Sequence, residues 1–201
     1  MRLVLVLVLL VLWPHLVFAW PAVILNVYDG DTITVAPLGD EANPLFVRLY
    51  GIDAPDLKQQ GGDAARAALL EQLPEKAQVE IIPMGLDGYG RVIGLCGRNG
   101  KIVNAFMLEQ GHAWVFEKQC LAMVCRTWKG LEKKAKEAKR GLWQRKDPTA
   151  PWLWGNGIVP LKPTPSQGSK PLPPGTQMLP PLDALPVPAP DPNAWFQMDP
   201  P

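Results

Sequence analysis

Residues 46–56 read FVRLYGIDAPD, and the rest of the chain can be interpreted from this stretch. Apolar and aromatic residues on both sides of Arg48 predict a β-strand, which Gly51 interrupts. Two carboxylates follow, Asp53 and Asp56, on a turn that Pro55 stiffens. Buried charges need partners, so an arginine within a strand and two aspartates at its end are poor core material. We therefore expect other polar residues to converge on this turn.

Strand geometry adds a condition to that expectation. Side chains alternate between the two faces of a regular strand, which would direct Arg48 and Asp53 to opposite sides. They can share a site only if Gly51 marks a bulge or a twist that resets the alternation. The sequence therefore predicts an irregularity at Gly51.

Composition divides the chain into three parts. A charged start, an apolar run and small residues before position 20 predict a signal peptide over residues 1–19, cleaved near Ala19, with an uncleaved membrane anchor as the alternative. Residues 147–201 hold 16 of the 23 prolines and are predicted to form a Pro-rich, disordered tail. The folded domain is expected over residues 20–146.

The pattern within this domain predicts an α+β fold, a five-stranded OB-type barrel with about three packed helices. The early strands follow one another closely, which favours an antiparallel meander. The predicted strands cover residues 22–28, 32–36, 46–52, 78–83 and 91–96, and the predicted helices cover 64–73, 104–110 and 127–140.

The last helix is strongly basic. Residues 118–146 contain ten Lys or Arg against two Glu, a net charge of +8, whereas the whole chain has a net charge of +1 and the rest of it is therefore acidic. Such a face either is simply solvated or contacts nucleic acid. Cys120 and Cys125, at the entrance to this helix, are predicted to form a disulfide in an exported protein. Cys96 is expected to be a buried, small apolar residue.

Three turns carry groups that a core does not accommodate: residues 29–32, the turn after Arg48, and residues 87–91. Together they supply carboxylates, which suit a hard cation such as Ca²⁺, and two guanidinium groups, which suit a phosphate. This inventory points to metal-assisted phosphodiester hydrolysis. His112 is the only histidine after the leader, which excludes nucleases and zinc sites built on several histidines. We expect it to be structural.

The three turns belong to a series of short motifs: VYDGDT at 27–32, VRLYGIDAP at 47–55, DGYGR at 87–91, VN at 103–104, GHAWV at 111–115 and GLW at 141–143. Together these motifs resemble the staphylococcal nuclease (thermonuclease) family of secreted Ca²⁺-dependent nucleases with an OB barrel. The similarity follows the family order across about residues 22–143. The resemblance implies Ca²⁺ as cofactor, held by Asp31, Asp53 and the backbone carbonyl of Ala54, with Asp29 bracing the turn behind these ligands.

The resemblance also assigns the catalytic groups. Arg48 and Arg91 would bind the phosphate and stabilise its transition state, and Tyr89 would contact the nucleotide. Asp56 would orient or deprotonate the attacking water, although the family usually has glutamate there. The shorter side chain loses roughly an ångström of reach, and a misplacement of that size can cost on the order of a hundredfold in rate.

The leader predicts an exported protein, periplasmic or extracellular, and we expect it to be a monomer. The resemblance implies a nuclease that acts on DNA and/or RNA and leaves 3′-phosphate ends. Base preference does not carry over, because Glu117 and Lys118 stand where the prototype has nucleotide-contacting tyrosines. The alternative is a catalytically weak or inactive OB-fold module that binds nucleic acid or a cell-envelope partner. The Pro-rich tail could serve such a partner as a spacer or docking segment.

Overall fold

The structure is a computed structural model that describes residues 19–157. The predicted signal peptide, apart from Ala19, and the tail beyond residue 157 lie outside the described residues. No helix within the described range combines the length and the apolar character needed to cross a membrane.

Eight strands and three α-helices make up the domain. The strands are β1 (Trp20–Val27), β2 (Thr32–Pro37), β3 (Leu45–Leu49), β4 (Ile52–Asp53), β5 (Gln78–Leu86), β6 (Val92–Arg98), β7 (Lys101–Ile102) and β8 (Trp114–Val115). The helices are α1 (Gly62–Gln72), α2 (Val103–Glu109) and α3 (Val124–Glu137), followed by 3₁₀ turns at Gly141–Gln144 and Pro151–Gly157. All five long strands and all three helices were predicted, and each helix begins one to three residues earlier than expected.

Five of the strands close into a barrel. They lie in the order β3-β2-β1-β5-β6, and all of these neighbours are antiparallel. The closing pair, β3 with β6, is parallel, so the barrel is mixed rather than wholly antiparallel. Register shifts in β1 and β5 mark irregularities of the kind that bend strands, which helps a five-stranded sheet to curl. The OB-type α+β fold is confirmed.

Alternate residues of the barrel strands point inward and form the core with one side of each helix. The barrel positions of this core that are fully buried are Ala22, Ile24, Val27, Ile33, Val35, Val47, Leu49, Ile81 and Cys96. This packing makes the barrel wall rigid, so the turns at its edge hold their side chains in fixed positions.

Two further sequence expectations concern the second half of the domain. Cys120 and Cys125 form the predicted disulfide, with Cα atoms 5.6 Å apart, and Cys96 is a buried free cysteine. The predicted boundary at residue 146 falls before the last packed residues. Ala150 is buried, and the Trp152 ring centroid lies 5.7 Å from that of Phe116.

Candidate functional site

The first polar turn joins β1 to β2 and is built around two buried aspartates. Asp29 is 2% exposed and Asp31 is fully buried. The backbone N–H of Asp31 donates to Oδ1 of Asp29 over 3.0 Å, so Asp29 braces this turn. Oδ1 of Asp31 also accepts from the Thr32 hydroxyl at 3.0 Å. These bonds fix the orientation of the Asp31 carboxylate.

Arg48 joins this turn to the next one. It lies in β3 opposite Thr32 of β2, and its guanidinium is almost completely buried. One terminal nitrogen, Nη1, contacts Oδ1 of Asp31, and the other, Nη2, donates to Oδ1 of Asp53 over 2.5 Å. The arginine is thus shared between two carboxylates that come from different turns of the chain. Charge-assisted bonds of this kind are strong and geometrically specific.

The carboxylates around Arg48 raise the pKa of its guanidinium by more than burial lowers it. Desolvation alone would lower the pKa of the Arg48 guanidinium, but the negative charges of Asp31, Asp53 and Asp29 raise that pKa above its ordinary value. Arg48 therefore stays cationic and can act electrostatically but not as a base.

Gly51 provides the predicted irregularity. It has a φ of 71°, in the left-handed region that favours glycine, and it separates β3 from β4. The chain resumes with Asp53 on the same side as Arg48, and the backbone N–H of Ala54 donates to Oδ2 of Asp31 over 2.7 Å. Asp31, Arg48, Asp53 and Ala54 are therefore brought together, as the sequence required.

The donor set fits a hard cation. Asp31 and Asp53 bring two carboxylates to one guanidinium, and the backbone of Ala54 lies against Asp31. Ca²⁺ takes carboxylate, backbone carbonyl and water oxygens in a flexible geometry, which this arrangement allows. Within residues 19–157 no three His, Cys, Asp or Glu side chains form a ready-made metal cluster, so water would have to complete the coordination.

Asp56 lies three residues beyond Asp53 on a half-exposed turn. Its carboxylate makes no hydrogen bond or ion pair with residues 19–157, in contrast to the buried aspartates, while its backbone carbonyl accepts from the N–H of Gln59 over 2.8 Å. Gln59 is 4% exposed, and its Nε2 donates to the carbonyl of Thr149 over 2.7 Å. Sequence reasoning missed this tether, because a glutamine in a polar loop gives no signal of burial.

In the third polar turn, residues 87–91, the hydrogen bonds converge on the Asp87 carboxylate. Oδ1 of Asp87 accepts from the backbone N–H groups of Tyr89 and Arg91, each over 2.9 Å, and Oδ2 accepts from Nε of Arg91 over 2.6 Å. Tyr89 is 55% exposed, with its ring centroid 5.7 Å from Cζ of Arg91. The sequence pattern places Asp87 in this cluster but assigns it no role.

No hydrogen bond or ion pair among the described side chains links this third turn directly to Arg48. The strand register nevertheless relates them, because Arg48 in β3 is paired with Ile93 in the parallel strand β6. Arg91 directly precedes Val92, the first residue of β6, so the third turn lies at the start of the strand that is paired with β3.

Comparison with known proteins identifies related chains. The family described as staphylococcal nuclease homologue matches residues 46–145. An uncharacterized endonuclease of Escherichia coli is 35% identical over 146 residues, which cover 69% of this chain and 91% of that protein. A probable staphylococcal-like nuclease of Oryza sativa subsp. japonica is 37% identical over 108 residues, which cover 54% of this chain and 28% of the relative. A staphylococcal-like nuclease of Arabidopsis thaliana is 33% identical over 113 residues, which cover 56% and 34%.

Proposed function

Because the chain belongs to the staphylococcal nuclease family, we propose that it is a Ca²⁺-dependent endonuclease that hydrolyses phosphodiester bonds in DNA, RNA or both. The observation that carries this proposal is the sharing of the buried Arg48 guanidinium between Asp31 and Asp53. A domain that only binds nucleic acid has no need to pair a buried arginine with two carboxylates, since exposed cations suffice for phosphate binding. A nuclease needs both a cation site and a phosphate site in one place.

In the proposed site Asp31, Asp53 and the Ala54 carbonyl would hold the cation. When bound, Ca²⁺ supplies positive charge that polarises the scissile phosphate. Arg48 and Arg91 donate hydrogen bonds to the phosphate oxygens and offset the negative charge that grows on them in the transition state. Tyr89 is exposed beside Arg91, which supports the proposal that its side chain contacts the nucleotide.

Asp56 is the proposed base. Its half-exposed carboxylate accepts a proton from the attacking water, whose oxygen forms the new bond to phosphorus. The bond from phosphorus to the 5′ oxygen breaks, and that oxygen is released as a hydroxyl after taking a proton from solvent. The products are then a 3′-phosphate end and a 5′-hydroxyl end.

We also propose that the mature protein works outside the cytoplasm, as a monomer. The Cys120–Cys125 disulfide supports this location, since disulfides persist in oxidising compartments and are rare in the cytosol. Separation of periplasm, medium and cytoplasm, with sequencing of the mature amino terminus, tests both export and cleavage near Ala19.

The function is tested by incubating the purified protein with single-stranded DNA and with RNA, each end-labelled. We expect cleavage in Ca²⁺, its loss on adding a chelator, its recovery with excess Ca²⁺, and 3′-phosphate product ends. Cleavage that survives the chelator would contradict the cation's role. Binding without any cleavage over a wide range of Ca²⁺ concentrations would instead favour the alternative, an inactive module that binds nucleic acid or an envelope partner.

A further inference from the structure

A disulfide-closed loop lies directly against the middle of the active-site segment. The loop, residues 116–123, connects β8 to α3, and the Cys120–Cys125 disulfide ties it to the first turn of that helix. A Cβ built on Gly51 would be only 2.6 Å from Sγ of Cys120 and 2.9 Å from the Trp128 ring. The disulfide is therefore packed on the residue that separates Arg48 from Asp53.

The neighbouring residue, Tyr50, is hydrogen-bonded to the same loop. Its side chain is 1% exposed, and its hydroxyl oxygen accepts from the backbone N–H groups of Leu121 at 2.9 Å and Ala122 at 3.0 Å. A tyrosine hydroxyl can accept two such bonds. Tyr50 thus joins the loop beside the disulfide to the strand that carries Arg48.

A third connection runs through the backbone. The N–H of Phe116 donates to the carbonyl of Gly51 over 2.9 Å, and the two-residue strand β8 pairs with β4, so that Asp53 lies opposite Trp114. Residues 114–116, which lead into the loop, therefore hold the chain from Gly51 to Asp53 in place. The position of Asp53 relative to Arg48 therefore depends on where this loop sits.

We propose that Tyr50 and the Cys120–Cys125 disulfide are positioning elements for the reaction, and that reducing the disulfide lowers nuclease activity. This inference rests on the proposed function, because it assigns the loop a role at that same site. Reduction by a dithiol transfers two electrons and two protons: the Cys120–Cys125 bond breaks into two thiols while the reductant closes into its own disulfide. The loop then keeps its hydrogen bonds to Tyr50 but loses the covalent link that holds it over Gly51.

A surface cavity adjoins this bond, and Cys120 and Cys125 are 9% and 4% exposed. This cavity, of about 420 Å³, is lined by both cysteines together with Leu121, Met123 and Arg126. Leu121 and Met123 are 65% and 60% exposed, so the loop is open to solvent on its outer side. The remaining cysteine, Cys96, is fully buried in the barrel, where burial raises the pKa of its thiol to about 12 and keeps it protonated. Substitution of Cys96 therefore controls for any effect of the reductant on activity that does not come from the Cys120–Cys125 disulfide.

The test compares the oxidised and the reduced full-length protein, with thiol counting to establish the state of each sample. We expect reduction to lower kcat on single-stranded DNA by about tenfold, as for a small misplacement of catalytic groups, with a smaller change in KM. Reoxidation should restore kcat. Cys96→Ala should respond to reductant as the wild type does, whereas the double variant Cys120→Ser, Cys125→Ser should be slow and insensitive to reductant.

Tyr50→Phe keeps the disulfide and the ring but removes the acceptor for the N–H groups of Leu121 and Ala122. It therefore tests whether the loop positions the active-site segment even if reduction unfolds the protein. It should also lower kcat more than it raises KM. Hydrogen exchange of residues 48–56, measured by mass spectrometry, gives a readout that needs no activity, and it should be faster in the reduced form and in Tyr50→Phe. An unchanged kcat and unchanged exchange in a fully reduced, folded sample would overturn the proposal. If the oxidised wild type does not cleave but exchange still responds, the proposed function fails while the coupling stands.

Discussion

Arg48 donates a hydrogen bond to Asp53 over 2.5 Å, although the two residues would point to opposite faces of a regular strand. The left-handed conformation of Gly51 between them makes this contact geometrically feasible. Asp53 can then lie beside Asp31, which comes from a different turn and contacts the same guanidinium. The site therefore depends on one backbone irregularity as much as on its charged groups.

Gly51→Ala should destabilise the fold and disturb the site. Alanine at a left-handed position costs about 1–2 kcal/mol, and crowding against Cys120 and Trp128 adds about 1–3 kcal/mol. We expect the free energy of unfolding in urea to fall by the sum of these effects. Gly39→Ala is the matched control, because Gly39 has a φ of 86° but a Cβ added there would have no atom within 4 Å. Equal losses in the two variants would rule out the packing contribution.

Asp56→Glu should raise kcat, by about tenfold, if the shorter carboxylate limits proton abstraction. Asp56→Asn should lower kcat by about a hundredfold or more, since an amide cannot accept the proton. Neither change should alter stability much, because the Asp56 side chain is half-exposed and has no hydrogen bond to residues 19–157. Steady-state kinetics on single-stranded DNA, with urea denaturation beside it, checks both expectations. An Asn variant as active as the wild type would remove Asp56 from the mechanism.

Gln59→Met should loosen the turn that carries Asp56. The change keeps the side-chain volume but removes the hydrogen bond to the Thr149 carbonyl, at a cost of about 1 kcal/mol in stability. We expect kcat to fall with little change in KM, because the base loses its fixed position. Gln60→Met is the control, since it makes the same change at an exposed neighbour, where it removes only the hydrogen bond that Oε1 of Gln60 accepts from Nη2 of Arg145. A loss of stability in Gln59→Met with kcat unchanged would show that the tether is only structural.

His112 should make stability sensitive to mildly acidic pH. Burial lowers the pKa of its imidazole below the ordinary value of 6.5. Between the folded and the unfolded pKa the unfolded chain binds more protons, so this contribution to stability is complete above pH 6.5 and is lost as the pH falls towards the folded pKa. Urea denaturation about one pH unit above and below 6.5 should show this loss in the wild type and a smaller one in His112→Gln. If the free energy of unfolding depended on pH identically in the two proteins, the contribution of His112 would be refuted.

Local sequence rules were enough to predict much of this molecule. Alternating apolar residues predicted the five barrel strands, and the conflict between strand alternation and a shared site predicted the break at Gly51. The spacing and setting of Cys120 and Cys125 predicted their disulfide. In each case the relevant physical constraint acts between residues that are close in the chain.

Contacts between distant residues were harder to predict. The parallel closure of β3 on β6 depends on the path of the whole chain, whereas the sequence pattern favours an antiparallel barrel. The tether from Gln59 to Thr149 spans 90 residues, and it lies where composition suggested that the tail had already begun. The bonds from Leu121 and Ala122 to the Tyr50 hydroxyl span 71 and 72 residues and have no local signature.

The central claim is that the shared guanidinium of Arg48 serves catalysis. The most direct test is the rate of Ca²⁺-dependent cleavage of single-stranded DNA by Arg48→Lys beside Arg98→Lys. Arg98 also lies in the barrel, but it donates to the Gln72 carbonyl away from the aspartates. Lysine keeps the charge but cannot present a two-pronged donor, so we expect Arg48→Lys to lose about a hundredfold or more in kcat and Arg98→Lys to stay near the wild type. An Arg48→Lys variant that is folded and cleaves as fast as the wild type would contradict the account.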